Sequence, residues 1–275
     1  MECKRVIMTF VREIRLVMAY VDINGHSTWF EDRGGDGQPV LLLHGGASSS
    51  DIMLDLIAPA LTGFRVLAFD RRGHGRTADS PGPMTYELMA EETSGLLEVI
   101  VPGQAAHLVG WSDGANTALL VALAHPDLVA SLVLIGGNFH HNGIAEGFGG
   151  DLDGDSPVLA MMANSYGERS PDGIEHFGEV MAKTAVMWAS GPTLTESDLG
   201  QIAQPALVLV GDDDVPTLAH TCAMYEALPA GQLAVVPGTS HALVMEKPAM
   251  VGSIVAGFLN DLTPPQTIMP MRRGR

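Results

Sequence analysis

Short apolar runs recur along the chain, separated by longer stretches with the period of helices. From residue 19 to residue 31, apolar and polar positions alternate about the Asn24-Gly25 pair, the pattern of two antiparallel strands joined by a tight turn. Residues 40–43, 66–69, 107–109, 132–135, 207–210 and 233–236 are instead continuously apolar. Such runs suit strands covered on both faces, as in a parallel sheet. Between them, residues 85–100, 115–124 and 218–228 have helical length and spacing. The hairpin and the six later runs predict an α/β fold: a mostly parallel, eight-stranded sheet with right-handed crossovers and helices on both faces.

One interval breaks the rhythm. Residues 136–206 are far more chain than one crossover helix requires. Residues 138–199, with helical patterns around 157–165 and 174–189, are therefore expected to form a small helical cap. It would be inserted into a core made of residues 19–137 and 200–262. Residues 1–18 are expected to be an N-terminal extension, and residues 263–275, which hold three prolines and three arginines without periodicity, a loose tail.

Composition narrows the function. A chain of 275 residues that is 46% hydrophobic can bury one large core. Its net charge of −17 disfavours nucleic acid, because Lys and Arg supply most of that affinity. Cys3 and Cys222 lie far apart with no metal or redox spacing, which points to a reducing cytoplasm. Lys4 and Arg5 precede apolar residues, but Arg12, Glu13 and Arg15 interrupt them before a signal core forms. No uncharged run has spanning length, so no membrane partner is expected. Oligomeric state is left open, a homodimer included.

The chemistry concentrates at strand ends. Gly110-Trp111-Ser112-Asp113-Gly114 lies where a buried strand meets a helix, the context of a G-x-S-x-G nucleophile elbow. A serine hydroxyl needs a base to take its proton and a third group to hold that base. His241, in Gly238-Thr239-Ser240-His241, follows the last strand, and Gly211-Asp212-Asp213-Asp214 follows the one before it. Asp214, at the fourth position of its turn, is preferred as the orienting acid over its rival Asp212. The backbone N–H of Gly46, in His44-Gly45-Gly46, and that of Asp113 are the candidate oxyanion hole. His44 is read as a brace for its loop. Trp111, Phe139 and Trp188 are the candidate substrate contacts, and Met161, Met162, Met181 and Met187 fit pocket lining and core filling equally well.

These motifs, with Asp70-Arg71-Arg72-Gly73-His74-Gly75, stand in the order found in α/β-hydrolase fold proteins, which the chain resembles from residue 19 to residue 262. The elbow, with Trp before and Asp after the serine, looks like that of biphenyl hydrolase-like, valacyclovirase-type serine esterases. That resemblance implies a carboxyl at Asp113 able to hold a substrate amino group. Ser112 stands where epoxide and haloalkane hydrolases carry Asp, so those reactions are disfavoured.

The expected function is hydrolysis of a carboxylic ester of a small substrate through an acyl-enzyme, which needs no cofactor. Lactone opening, carbon–carbon bond hydrolysis and peracid formation on the same residues are the rivals. A ligand receptor without turnover and a self-associating scaffold are rivals of other classes. Asp151-Leu152-Asp153-Gly154-Asp155 looks like half a calcium loop, but Met162 stands where the bidentate Glu belongs. His140 and His141 are a weak zinc signal, no metal is expected, and Gly73-His74-Gly75 is read as a structural loop.

Overall fold

The computed structural model describes residues 16–148 and 156–271. β1 (Val17–Ile23) and β2 (His26–Asp32) form the hairpin, with Asn24 at φ 54° and Gly25 at φ 81°, the left-handed pair a two-residue turn demands. There follow β3 (Pro39–Leu43), α1 (Ser50–Leu56), β4 (Arg65–Phe69), α2 (Tyr86–Ile100), β5 (Ala106–Trp111), α3 (Asp113–Ala124) and β6 (Val129–Ile135). Then come α4 (Pro157–Gly167), α5 (Phe177–Ser190), α6 (Glu196–Leu199), β7 (Ala206–Asp213), α7 (Leu218–Ala227), β8 (Gly231–Ser240), α8 (Leu243–Glu246) and α9 (Pro248–Asn260). The strands form one eight-stranded sheet in the order β1-β2-β4-β3-β5-β6-β7-β8. β2 pairs antiparallel with β1 and β4, and the remaining pairs are parallel. This is the mostly parallel α/β-hydrolase sheet the motifs predict.

Continuous apolar runs are needed because alternate residues of each central strand enter different cores. Leu41, Leu43 and Leu108 pack with Leu97 of α2, Leu119 of α3 and Met224 of α7. Val40, Leu42 and Val109 pack on the other face with Met53 of α1 and Val251 and Val255 of α9. α1 and α9 lie outside the segments that periodicity predicts, although the second face depends on them.

The Asp70 carboxylate ties the loop after β4 to α1, accepting from Ser50 N–H, Ser50 Oγ and Arg76 N–H at 2.8, 2.6 and 2.8 Å. A Cβ on Gly75 would lie 2.3 Å from that carboxylate. The loop expected to be structural has that role.

Within residues 156–190, Ser156 caps α4, its Oγ accepting from Val158 N–H, and Pro157 opens the helix. A third apolar cluster joins this region to the core, with Tyr166, Phe177, Val180 and Met187 against Ala47, Met84, Tyr86 and Met89. Ion pairs ring the contact. Asp79 accepts from Lys183 Nζ at 2.5 Å and from His176 Nε2 at 2.8 Å, and Asp51 from Arg169 Nε at 2.6 Å. Residues 263–271, in the expected tail, carry no helix or strand, while residues 1–15, 149–155 and 272–275 lie outside the described residues.

Burial holds His74, His107 and His220 neutral, with pKa values pushed down from 6.5 to about 4. The unfolded chain therefore binds more protons than the folded one between those values, and stability falls as pH falls through that window. A lower urea midpoint at pH 5 than at pH 7 is expected, with a smaller difference in His107→Gln. A midpoint that is flat with pH would contradict this assignment.

Candidate active site

β5 ends at Trp111 and α3 begins at Asp113, leaving Ser112 alone on the turn between them. Its backbone sits at φ 55°, ψ −122°, a region that residues with a Cβ rarely enter. Packing enforces the turn. A Cβ on Gly110 would lie 2.3 Å from the Gly114 carbonyl carbon, and one on Gly114 would lie 2.2 Å from the Leu43 carbonyl oxygen. Strand, turn and helix approach too closely for side chains at either glycine.

β7 and β8 deliver the other two groups to the same edge of the sheet. His241 Nε2 lies 2.8 Å from Ser112 Oγ, and His241 Nδ1 lies 2.6 Å from Asp214 Oδ1. Asp214 is fixed in turn by the N–H groups of Gly211 and Val215, which donate to its two oxygens at 2.9 and 2.7 Å. Asp212, the rival acid, does something different. It accepts from Thr239 N–H at 3.0 Å, and N–H donors from Gly238 and Thr239 hold its carboxyl below the usual range. Asp212 thus braces the loop that carries His241.

Trp111 also acts on that loop. Its indole N–H donates to the His241 carbonyl at 2.9 Å, and the two rings lie 5.9 Å apart. Trp111 is absent from the cavity wall described below, as is Phe139. Phe139 belongs to the buried core, where it stacks on the His220 ring at 4.0 Å and donates its N–H to His220 Nε2. Of the three aromatic residues expected to touch substrate, Trp188 alone faces the cavity. A Trp beside the elbow and an aromatic just past a strand end carry no local signal of which way the ring turns.

The Gly46 loop lies against the elbow. A Cβ on Gly46 would meet Asp113 Oδ2 at 2.3 Å and Trp188 Cζ2 at 2.8 Å, and one on Gly45 would meet Ser112 Cβ at 3.3 Å. Asp113 is buried, and its carboxylate accepts from Tyr86 Oη at 2.6 Å and from Trp188 Nε1 at 3.0 Å. Burial and that carboxylate push the Tyr86 hydroxyl well above its ordinary pKa of 10.0, so it stays a donor. Tyr86 carries no motif. It is the first residue of α2 behind the Thr85 cap, and its partners become visible only in three dimensions.

A cavity of about 890 Å³ opens above these groups. Ser112, His241, Asp113, Tyr86, Asn138 and His141 supply its polar wall, and Ile144, Phe148, Leu159, Met181, Trp188 and Val215 most of its apolar one. Of the methionines weighed as lining, Met181 faces the cavity, Met187 is core, and Met161 is exposed. One group with metal-ligand spacing is found among the described residues: Asp79, His176 and Glu179. Lys183 occupies the place of the cation there, 2.5 Å from Asp79 and 3.4 Å from Glu179. His140 and His141 stack on each other at 4.4 Å, and the half calcium loop lies outside the described residues. Among those residues, no helix is long and apolar enough to cross a membrane.

Comparison with known proteins gives the same fold. Residues 38–155 match the α/β hydrolase fold family. The human serine hydrolase BPHL is 26% identical over 245 residues, covering 82% of this chain and 80% of its own. Two further matches are local. The chain spans 33% of an sn-1-specific diacylglycerol lipase ABHD11 of Danio rerio at 35% identity. It spans 40% of a pimeloyl-[acyl-carrier protein] methyl ester esterase of Methylococcus capsulatus at 36% identity. In structure, the meta-cleavage product hydrolase CumD of Pseudomonas fluorescens superposes with a TM-score of 0.75 over 89% of this chain and 98% of its own, at 22% identity. The carboxylesterase CesB of Bacillus subtilis superposes at 0.67 over 90% and 92%, at 23% identity. Sheet order, the match over residues 38–155 and the solved structures together show that this chain has the α/β-hydrolase fold.

Proposed function

We propose that the protein is a serine hydrolase that cleaves a carboxylic ester of a small substrate. The observation that carries this reading is the continuous relay from Asp214 through His241 to Ser112, with contacts of 2.6 and 2.8 Å, opening on the cavity. His241 Nε2 takes the Ser112 proton as Oγ attacks the ester carbonyl, and Asp214 holds the ring in the tautomer that leaves Nε2 free. The N–H groups of Gly46 and Asp113 receive the negative charge of the tetrahedral intermediate; the Asp113 N–H is available because the first N–H groups of a helix have no intrahelical acceptor. His241 returns the proton to the leaving alkoxide, then activates water to release the acid. The walls of Ile144, Phe148, Leu159 and Met181 suit a modest apolar acyl or alcohol group. BPHL supports a serine hydrolase, and an esterase and a carboxylesterase among the similar proteins support the ester; CumD keeps carbon–carbon hydrolysis as the rival.

A narrower reading has its own observation. Asp113 lines the cavity, and among the described residues no Lys or Arg does, so an ester with a protonated amine near the reacting carbonyl fits the local charge. Its implied role in holding an amino group competes with Tyr86 and Trp188, which already donate to it.

Hydrolysis of p-nitrophenyl esters of increasing acyl length, beside aminoacyl esters and lactones, tests both readings. Ser112→Ala is expected to lose turnover by on the order of a thousandfold or more while remaining folded. A folded Ser112→Ala that keeps more than about a tenth of wild-type turnover would remove Ser112 from the mechanism. Preference for aminoacyl over simple acyl esters supports the cationic substrate, and equal rates exclude it.

Trp111→Phe keeps the ring and deletes the bond to the His241 carbonyl. With a net value of about 1 kcal/mol for such a bond, kcat is expected to fall about fivefold with KM unchanged. A rise in KM without loss of kcat would return Trp111 to substrate contact.

A further inference from the structure

Arg71 is the largest fully buried side chain described, and its guanidinium is placed unlike a structural ion pair. Nη2 donates to the Gly45 carbonyl at 3.1 Å, while Nε and Nη1 have no hydrogen-bond partner among the described residues. Burial lowers the Arg71 pKa, and the negative charges of Asp113, Glu92 and Asp70 act in the opposite direction. A buried cation with orphaned donors is expensive, and an apolar side chain of similar volume often stabilises a fold as well or better. Stability therefore gives no reason for this arrangement, and its neighbours supply another.

The Gly45 carbonyl has a second donor. Arg71 N–H donates to His44 Nε2 at 3.2 Å, which leaves the proton of the neutral ring on Nδ1. That Nδ1–H donates to the Gly45 oxygen at 2.6 Å. Burial, then the Arg71 charge, holds the His44 pKa well below 6.5, so the tautomer persists at neutral pH. The Gly45–Gly46 peptide is trans, since among the described residues the one cis bond is at Gly191–Pro192. In a trans peptide the C=O and the next N–H point in opposite directions. Two donors on the Gly45 oxygen thus fix where the Gly46 N–H points. The Gly46 N–H itself has no acceptor among the described residues.

We propose that Arg71 is a positioning residue that, together with His44, pins the Gly45 carbonyl and thereby aims the Gly46 N–H at the oxygen of the reacting carbonyl. The proposal rests on the acyl-transfer reading above. Glycine at both positions leaves this peptide free to rotate, so without the pins it would sample orientations that point the donor away from the substrate. The cost of burying Arg71 is then a cost of preorganisation, paid before the charge develops.

The test compares wild type, Arg71→Met, Arg71→Lys and His44→Leu on the best p-nitrophenyl ester. It adds competitive inhibition by a trifluoromethyl ketone, which forms a tetrahedral oxyanion adduct, and by the matching methyl ketone, which resembles the ground state. Arg71→Met is expected to lower kcat roughly tenfold to a hundredfold with KM within about threefold, less than the loss of an oxyanion donor outright. Trifluoromethyl ketone affinity should fall in step with kcat while methyl ketone affinity holds. Arg71→Lys, which keeps a donor and a charge, should recover part of both losses. His44→Leu, which removes the other pin, should reproduce the pattern, and it carries the test should Arg71→Met fail to fold.

A folded Arg71→Met with kcat and both affinities within about threefold of wild type overturns the proposal. So does a loss of kcat that leaves the ratio of the two ketone affinities unchanged. A wild type that neither cleaves esters nor binds the trifluoromethyl ketone overturns the acyl-transfer reading itself, and the positioning role with it.

Discussion

The structure turns on the close approach at the end of β5. Gly110 and Gly114 bring strand and helix so near that the Leu43 carbonyl lies where a Gly114 side chain would be, and Ser112 is forced into left-handed backbone between them. A turn this tight persists only if its surroundings over-determine it. They do: β5 is buried along its whole length between β3 and β6, and α3 is buried beneath it. The two apolar layers on either side of the sheet serve this one conformation. From it follow an exposed Oγ, a helix N-terminus behind it, and a place at the carboxyl edge where the neighbouring strands also end.

That edge is why the chain order of the motifs was informative. Asp214 and His241 lie 27 residues apart in sequence, yet β7 and β8 are adjacent and parallel, so both turns open on the same side. Strand-end chemistry was legible because buried parallel strands announce themselves as unbroken apolar runs, and glycine-rich turns follow them. What was not legible depends on side-chain direction. Trp111 turns its N–H onto the His241 carbonyl, and Phe139 turns into the core, although both sit beside residues that face the cavity. Tyr86 enters the site from a helix start with no motif. α1 and α9 escaped notice because their apolar stripes are short or nearly continuous, which blurs the helical period. Its place at the fourth position of the turn favoured Asp214 over Asp212. The difference lies in which carboxyl the turn directs at His241 and which it directs at the backbone of residue 239.

Charge divides the molecule in a way composition conceals. Acidic residues outnumber basic ones across the chain, but where Asp51 and Asp79 meet residues 156–190 each of these two carboxylates is shared between two basic partners. Arg76 and Arg169 share Asp51, and His176 and Lys183 share Asp79. Such pairs are partly exposed, and each contributes little alone. Their position matters more than their strength, because they close the rim around an apolar contact, that of Tyr166, Phe177 and Val180 with Met84 and Met89, which supplies most of the attraction. Among the described residues, the wall of the cavity beneath holds one acidic residue and no lysine or arginine.

That carboxylate poses an electrostatic problem which the fold must solve. Asp113 belongs to the residue whose N–H is proposed to stabilise an oxyanion, and its Oδ2 lies against Gly46, the other donor. A negative charge so close would oppose the charge that develops during attack, and more strongly where water is excluded. Tyr86 and Trp188 draw the carboxylate to their side with donors at 2.6 and 3.0 Å. The buried Arg71 guanidinium interacts electrostatically with the same carboxylate. The acid at the elbow is thus met by two neutral donors and by the charge of an arginine in the loop after β4.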